Sequence, residues 1–381
     1  MTSNNDERVH IIHFAEDGDT SGFFPALAKY YSCDRYRMTF GTLKPMTEAL
    51  EGLMREQDVS TFSTGAGGRV TYPLALARLG HRLRREKRAV FHAHLFEPSV
   101  VGLTAAWVAG VSGRVLTRHY SNYHTRINRP LHVLLDKWCT ASAHHVIAVS
   151  NETAAHLIRV EGAPPEKVTT IHNGLDFERV KASGPDAREH LRHELGLADD
   201  FTFLIAGRLH PEKGYEHLFQ AVRLLKGRTE RPFVLLIAGR GPLLEHYQQL
   251  AASLDIGDRL RFLGFRNDLP DLMVASDLFV LPSVAESFGL VLAEALYLGK
   301  PVVASRVGGI PEIVDDGIDG CLVPPGDAQA LSEIMGKFLD GTVHLPGLGE
   351  AAVAKVRARF DFRQMLRRYE AVYERVLDTR R

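Results

Sequence analysis

The chain has 381 residues, 45% hydrophobic and 24% charged, and no formal net charge; that length suits two domains and that balance suits a folded chain rather than long disorder. No apolar run approaches the roughly 20 residues that span a bilayer, and the polar start MTSNNDERVH carries no signal-peptide core. Three scattered cysteines, Cys33, Cys139 and Cys321, build neither a disulfide framework nor a zinc ribbon, so the reducing cytoplasm is the expected compartment.

Charge is spread unevenly, with a mildly basic first half and a mildly acidic second half. The excess is too small for a nucleic-acid partner, but it leaves room for an acidic acceptor or an anionic lipid surface near the first half. Val9–Phe14 reads as a buried strand, and the loop Ala15–Gly22 leads to a helix from about Phe23 to Tyr31. A phosphate can approach Ser21 and Gly22, because glycine lets backbone come close. No GxGxxG follows the strand, which removes the main support for a nicotinamide cofactor. Asp17 and Asp19 form a DxD, read as a solvated turn rather than a metal site.

Tyr36–Leu43 is a second strand, followed by helix signals around Met46–Arg55. Arg69–Arg88 is a longer helix, with Tyr72, Leu76, Leu79 and Leu83 spaced three or four apart. Its basic end, HRLRREKR, reads as a solvated face that complements the helix C-terminus, with peripheral contact at the inner membrane face as the alternative. Ala89–His94 is a buried strand that puts His92 and His94 on one face. With no third ligand evident, they read as a strand-end pair near a cleft rather than a metal site. A helix, Pro98–Ala109, and a strand, Arg114–Tyr120, follow. His119 falls at the C-terminal end of that strand, where open α/β sheets place their ligands. His94, Arg118, Tyr123, His124 and Arg126 are candidates for the acceptor side. His145–Ser150 is a strand whose serine caps the helix Asn151–Glu161, and Val168–His172 is the last strand of this half. Such alternation signals a parallel sheet covered on both faces.

After a polar stretch with one helix, Asp186–Leu195, the rhythm restarts with the strand Thr202–Ala206 and the loop GRLHPEKG. There Arg208 and Lys213 can converge on a diphosphate, the first as a fork and the second as a point charge. Phe233–Ala238 leads into GRGP and a helix to about Ser253; Arg261–Leu263 leads into GFRND and a helix from Asp268. The strand Leu278–Leu281 leads into VAESFGLVLAEALYLGKP, a loop running into a mostly buried helix. Its acids, Glu286 and Glu294, need partners in so apolar a setting. The N–H groups of Ser287, Phe288 and Gly289 are expected to open the helix and suit a phosphate, with Leu290 a further donor-side candidate. Glu294 is expected about two turns in, roughly 12 Å along the axis. One stretch thus offers a carboxylate to a sugar, amides to a phosphate and a second carboxylate to a ribose. A strand Pro301–Ala304, a short helix Gly308–Val314, a strand Gly320–Val323, helices Asp327–Leu339 and Leu348–Phe360, and an amphipathic segment Phe362–Arg381 complete the chain.

Glu286 and Glu294 with seven residues between them, after a strand ending LPS, resemble the signature of the retaining glycosyltransferases of family 4, and the likeness runs over nearly the whole chain. It implies an α/β protein of GT-B fold, with two Rossmann-like parallel-sheet domains facing across a cleft. IHNGLD resembles the boundary between them, giving domains at 1–176 and 177–361, with 362–381 crossing back to the first. The resemblance implies that His119 contacts the transferred sugar from the opposite domain, that Arg208 and Lys213 neutralise the leaving nucleotide, and that Gly207, Gly241, Phe265 and Arg266 lie in loops around the donor. Family members usually carry two adjacent glycines in the loop before Phe23; in this chain the loop's glycines, Gly18 and Gly22, are not adjacent. The implied reaction moves a hexose-type sugar from a UDP- or GDP-linked donor to an acceptor hydroxyl on a saccharide, a lipid-linked sugar or a small molecule, with retention of configuration. No strong carboxylate metal site appears, so transfer without metal or other cofactor is expected. A non-catalytic sugar-nucleotide scaffold and a UDP-N-acetylglucosamine epimerase of the same fold are the competing readings.

Overall fold

The computed structural model describes residues 8–16, 22–86, 88–120, 129–197 and 199–378. Asp17, Asp19, Ser21, Tyr123, His124 and Arg126, all singled out from sequence, lie outside the described residues. The chain divides into two units, one formed by Met1–Gly174 with Phe362–Arg381 and the other by Leu175–Asp361.

The first unit is built on a seven-stranded sheet of β1 (Val9–Ala15), β2 (Tyr36–Thr42), β3 (Ser60–Ser63), β4 (Val90–His94), β5 (Gly113–Arg118), β6 (His145–Ala148) and β7 (Val168–Thr170), in the order β3-β2-β1-β4-β5-β6-β7. The second has β8 (Phe201–Ala206), β9 (Phe233–Ala238), β10 (Leu260–Gly264), β11 (Leu278–Leu281), β12 (Val302–Ser305) and β13 (Gly320–Val323), in the order β10-β9-β8-β11-β12-β13. Neighbouring strands pair in parallel throughout. Parallel neighbours need a crossover, and the helices that supply it cover both faces, so the central strands read as unbroken apolar runs. β9, FVLLIA, is buried at every residue. In each sheet the strand order reverses once, between β1 and β4 and between β8 and β11. A ligand crevice opens outside the carboxyl ends of the strands at such a reversal.

Among the elements that the sequence reading did not give are a strand and a helix. β3 is a short polar edge strand, STFS, with no buried residue to give it an apolar signature. The helix Pro130–Ser142 exposes Leu131, Leu134 and Trp138 and buries Asp136, so its apolar pattern does not mark its inner face. The last helix, Phe362–Asp378, belongs to the first unit. Met365, Leu366, Tyr369, Val372, Tyr373 and Val376 join a buried cluster with Ile11, Phe24, Tyr36 and Phe40. Burying six such side chains stabilises the unit by on the order of 10 kcal/mol before chain entropy is subtracted.

Candidate active site

At the β8–β11 reversal, the loop Gly207–Gly214 follows β8 and the loop Pro282–Gly289 follows β11. The backbone locks them together. Val284 N–H donates to the Glu212 carbonyl at 2.8 Å, and Gly214, at φ +71°, would put a Cβ 2.0 Å from the Pro282 carbonyl oxygen. A neighbouring loop presses from the other side, where Gly308, at φ +57°, would put a Cβ 1.5 Å from the Glu286 carbonyl oxygen. Only glycine fits at either contact without moving backbone. Held this way, Glu286 accepts from Lys213 Nζ at 2.5 Å and from the Ser283 hydroxyl at 3.4 Å through the same carboxylate oxygen. Both members of the Lys213–Glu286 pair are half-buried. Arg208 stands exposed in the same loop as Lys213, and among the described residues it has no hydrogen-bond or ion-pair partner. Gly207 accepts from the Tyr215 hydroxyl at 3.1 Å, which pins the start of the loop.

The helix begins at Leu290, with Gly289 as its left-handed cap at φ +90°. This corrects the expectation that Ser287 and Phe288 form its first turn. Both belong to the loop, and the Phe288 ring is buried edge-on against Phe360 at 5.6 Å. Glu294 is therefore the fifth helical residue, about one turn in rather than two. It is half-buried, and desolvation pushes its carboxyl up to about 7 against the opposing pull of Arg179.

The loops after β9 and β10 are joined to this group. Leu209 N–H donates to the Arg240 carbonyl at 3.1 Å and Gly239 N–H to the Gly264 carbonyl at 2.7 Å. Gly241 packs so closely that a Cβ there would lie 2.5 Å from the Leu209 carbonyl oxygen. Phe265 is 61% exposed, with the Arg240 guanidinium 4.9 Å from its ring centre. Sequence reasoning passed over Arg240, although it sits between strand and helix in GRGP as Arg208 does in GRLHP. Arg266 points elsewhere: it pairs with Asp268 at 2.8 Å and with Glu194 at 3.5 Å. Its guanidinium is thereby turned to two carboxylates rather than left open beside Phe265.

In the first unit the β1–β4 reversal is occupied by histidines. Parallel register sets His13 beside His92, and His13, His92 and His94 are wholly buried. His94 Nε2 and His13 Nδ1 lie 3.0 Å apart, and His94 Nδ1 lies 3.2 Å from Nε2 of the half-buried His119. Burial lowers all four rings, His13 to about 3, His119 to about 4, and His92 and His94 well below the ordinary value. The reading of His92 and His94 as a strand-end pair without a third ligand is corrected. His13 brings a third set of ring nitrogens, with one ligand atom from each residue within 4.8 Å of the others. Every ring nitrogen of the three already has a protein partner. His94 is also corrected as an acceptor contact, since it lies beneath His119.

Arg118 is likewise removed from the acceptor side. It is 2% exposed, pairs with Asp136, and donates to Glu161 and Thr140, each at 2.9 Å. A buried cation is kept inside only with such partners. Gly22, at φ +135°, caps the helix Phe23–Tyr30 and accepts from Ala26 N–H at 3.0 Å. No helix among the described residues is long and apolar enough to cross a membrane.

Comparison with known proteins agrees with these two units. Residues 187–353 match the family described as Glycosyl transferases group 1, and residues 35–179 match Glycosyltransferase Family 4. The chain is similar to a D-inositol 3-phosphate glycosyltransferase from Streptomyces scabiei (strain 87.22), with 32% identity over 350 residues, covering 84% of this chain and 76% of that protein. It is also similar to a UDP-Gal:alpha-D-GlcNAc-diphosphoundecaprenol alpha-1,3-galactosyltransferase from Escherichia coli, with 28% identity over 78% of each chain. The crystal structure of HepE from Anabaena in complex with UDP and glucose matches with a TM-score of 0.81 and 25% identity, covering 96% of this chain and 99% of that one. With one family match on each half and a relative aligned across most of its length, the chain is a glycosyltransferase of GT-B fold and belongs to family 4.

Proposed function

We propose that this glycosyltransferase moves a hexose from a nucleotide-diphosphate sugar, UDP-linked in the first instance, to an acceptor hydroxyl with retention of configuration. The observation that carries the reading is the Lys213–Glu286 pair at the β8–β11 reversal, with the exposed Arg208 in the same loop as Lys213. The bond that breaks joins the anomeric carbon to the β-phosphate oxygen, and negative charge grows on the diphosphate as it does. Preorganised cations meet such charge best; Arg208 and Lys213 supply them without requiring a metal. Glu286, one hydrogen bond from Lys213, is set to hold hydroxyls of the sugar attached to that phosphate. The acceptor oxygen bonds to the anomeric carbon from the leaving-group face, and its proton passes to the departing phosphate oxygen. Glu294 takes the ribose hydroxyls, and Phe265 with Arg240 offers a stacking face to the base. The UDP bound in HepE supports the choice of nucleotide.

Incubation with labelled UDP- and GDP-hexoses tests this directly. Slow hydrolysis that releases sugar with the donor's own anomeric configuration is expected, and release of the opposite anomer would overturn retention. The Glu294 assignment has a pH signature. Its carboxyl is raised on folding, so the folded chain keeps the proton to higher pH than the unfolded chain, and stability falls as pH rises from the ordinary carboxylate range to about 7. A ribose that donates to the carboxylate favours the ionised form, so nucleotide affinity should instead rise as pH passes through about 7. Titration calorimetry should find that rise in the natural protein and a flat response in Glu294→Gln. A rise of the same size in the variant would remove Glu294 from the ribose.

A further inference from the structure

The buried histidines of the first unit form a chain with a direction. The Thr117 hydroxyl donates to the Tyr369 hydroxyl at 3.3 Å. Having one proton, it must accept at its 2.7 Å contact with His92 Nε2, so His92 carries its proton on Nε2. Nδ1 of His92 is then bare and accepts from the Tyr373 hydroxyl at 2.7 Å. The Tyr373 oxygen in turn accepts from His13 Nε2 at 3.4 Å. Nδ1 of His13 is left bare for His94 Nε2–H at 3.0 Å, and Nδ1 of His94 is left bare for His119 Nε2–H at 3.2 Å. Each neutral imidazole has one N–H and one lone pair, so reversing any one link sets two lone pairs or two protons against each other. The contacts lie out of water: Phe23 meets the His94 and His119 rings edge-on, each at 5.8 Å, and Phe24 meets His94 at 5.4 Å.

We infer that His94, His13 and Tyr373 are positioning residues that hold His119 in the tautomer with Nε2 protonated and Nδ1 bare, making His119 an acceptor for a substrate hydroxyl. The substrate half of this statement rests on the glycosyl transfer proposed above; the tautomer half stands on the hydrogen-bond chain alone. Among the described residues the hydrogen-bond partner of His119 is an imidazole rather than a carboxylate. A carboxylate there would draw a proton onto the ring, whereas a run of neutral imidazoles selects a tautomer and leaves the ring uncharged. The hydrogen-bond chain also gives the last helix a part in the site, because Tyr369 and Tyr373 both sit on it.

Imidazole nitrogen NMR on the full-length protein reads the tautomer directly. His119 is expected to show a protonated Nε2 and a bare Nδ1; the opposite assignment would overturn the inference. His94→Leu should turn His119 into a mixture of tautomers and lower kcat on the order of tenfold, the lower range for a partner that orients a functional histidine, while KM for the sugar nucleotide stays near its natural value. His94→Asn, which keeps an acceptor where Nδ1 stood, should restore most of the loss. An unaltered His119 tautomer in His94→Leu would refute the chain. Tyr373→Phe removes one hydroxyl at the far end and covers the case in which the leucine variant does not fold. It should change the nitrogen signals of His13 and His92 and broaden the tautomer at His119; unchanged spectra would refute the chain equally. Full turnover by His119→Ala would overturn the substrate half and leave the tautomer half standing.

Discussion

Alanine in place of Glu286 is expected to cut turnover about ten- to a hundredfold while leaving the protein folded. The carboxylate is half-buried, and among the described residues its hydrogen bonds come from Lys213 and Ser283. Removing it therefore opens no apolar core. The loop keeps its path because its backbone is held from two sides, by the Glu212 carbonyl and by the close approach of Gly308. Substrate hydroxyls lose their acceptor, and Lys213 loses the partner that fixes its ammonium. Glu286→Gln separates these effects: it keeps a polar group for the sugar and removes the charge that holds Lys213. Steady-state kinetics with an established donor and acceptor, beside a thermal melt, makes the measurement. Natural turnover in a folded alanine variant would take Glu286 out of the mechanism.

Arg208→Ala should weaken binding of nucleoside diphosphate about ten- to a hundredfold, as expected for a charge-assisted hydrogen bond worth about 1.5–3 kcal/mol. Stability should hardly move, since Arg208 is exposed and its guanidinium touches no partner among the described residues. That separation makes Arg208 a cleaner probe than Lys213, whose removal also releases Glu286. Arg208→Lys should recover only part of the affinity, because a point charge cannot reproduce the bidentate fork. Calorimetry showing unchanged affinity in the alanine variant would refute the phosphate assignment.

The sheets were legible in the sequence because their strands are apolar runs separated by helical periods, as β9 illustrates. The loops that carry Arg208, Lys213 and Glu286 were legible too, because each follows a strand, and the structure pairs Lys213 with Glu286. The helix Pro130–Ser142 escaped notice because solvent-facing leucines and an inward aspartate invert the usual pattern. The late start of the helix at Leu290 depends on Gly289 adopting a left-handed conformation, a choice set by the packing of Ile310 and Glu286 around it. Arg118 stood among the acceptor-side candidates near a strand end, where open α/β sheets place their ligands. Its partners are Asp136, on the helix Pro130–Ser142, and Glu161, just past the helix Asn151–Arg159, and no local rule joins them to it. His13 was hidden for the same reason: only the parallel register of β1 with β4 brings it against His92.

The first unit takes its final helix from the far end of the chain, after all of Leu175–Asp361 has been made. On a ribosome the second unit can therefore finish folding while the first still exposes the apolar surface around Ile11, Phe24 and Tyr36. Until Phe362–Asp378 emerges, that nascent surface is a natural client for a chaperone, and a stop codon that removes only the last helix would leave a product with one sound half and one sticky one.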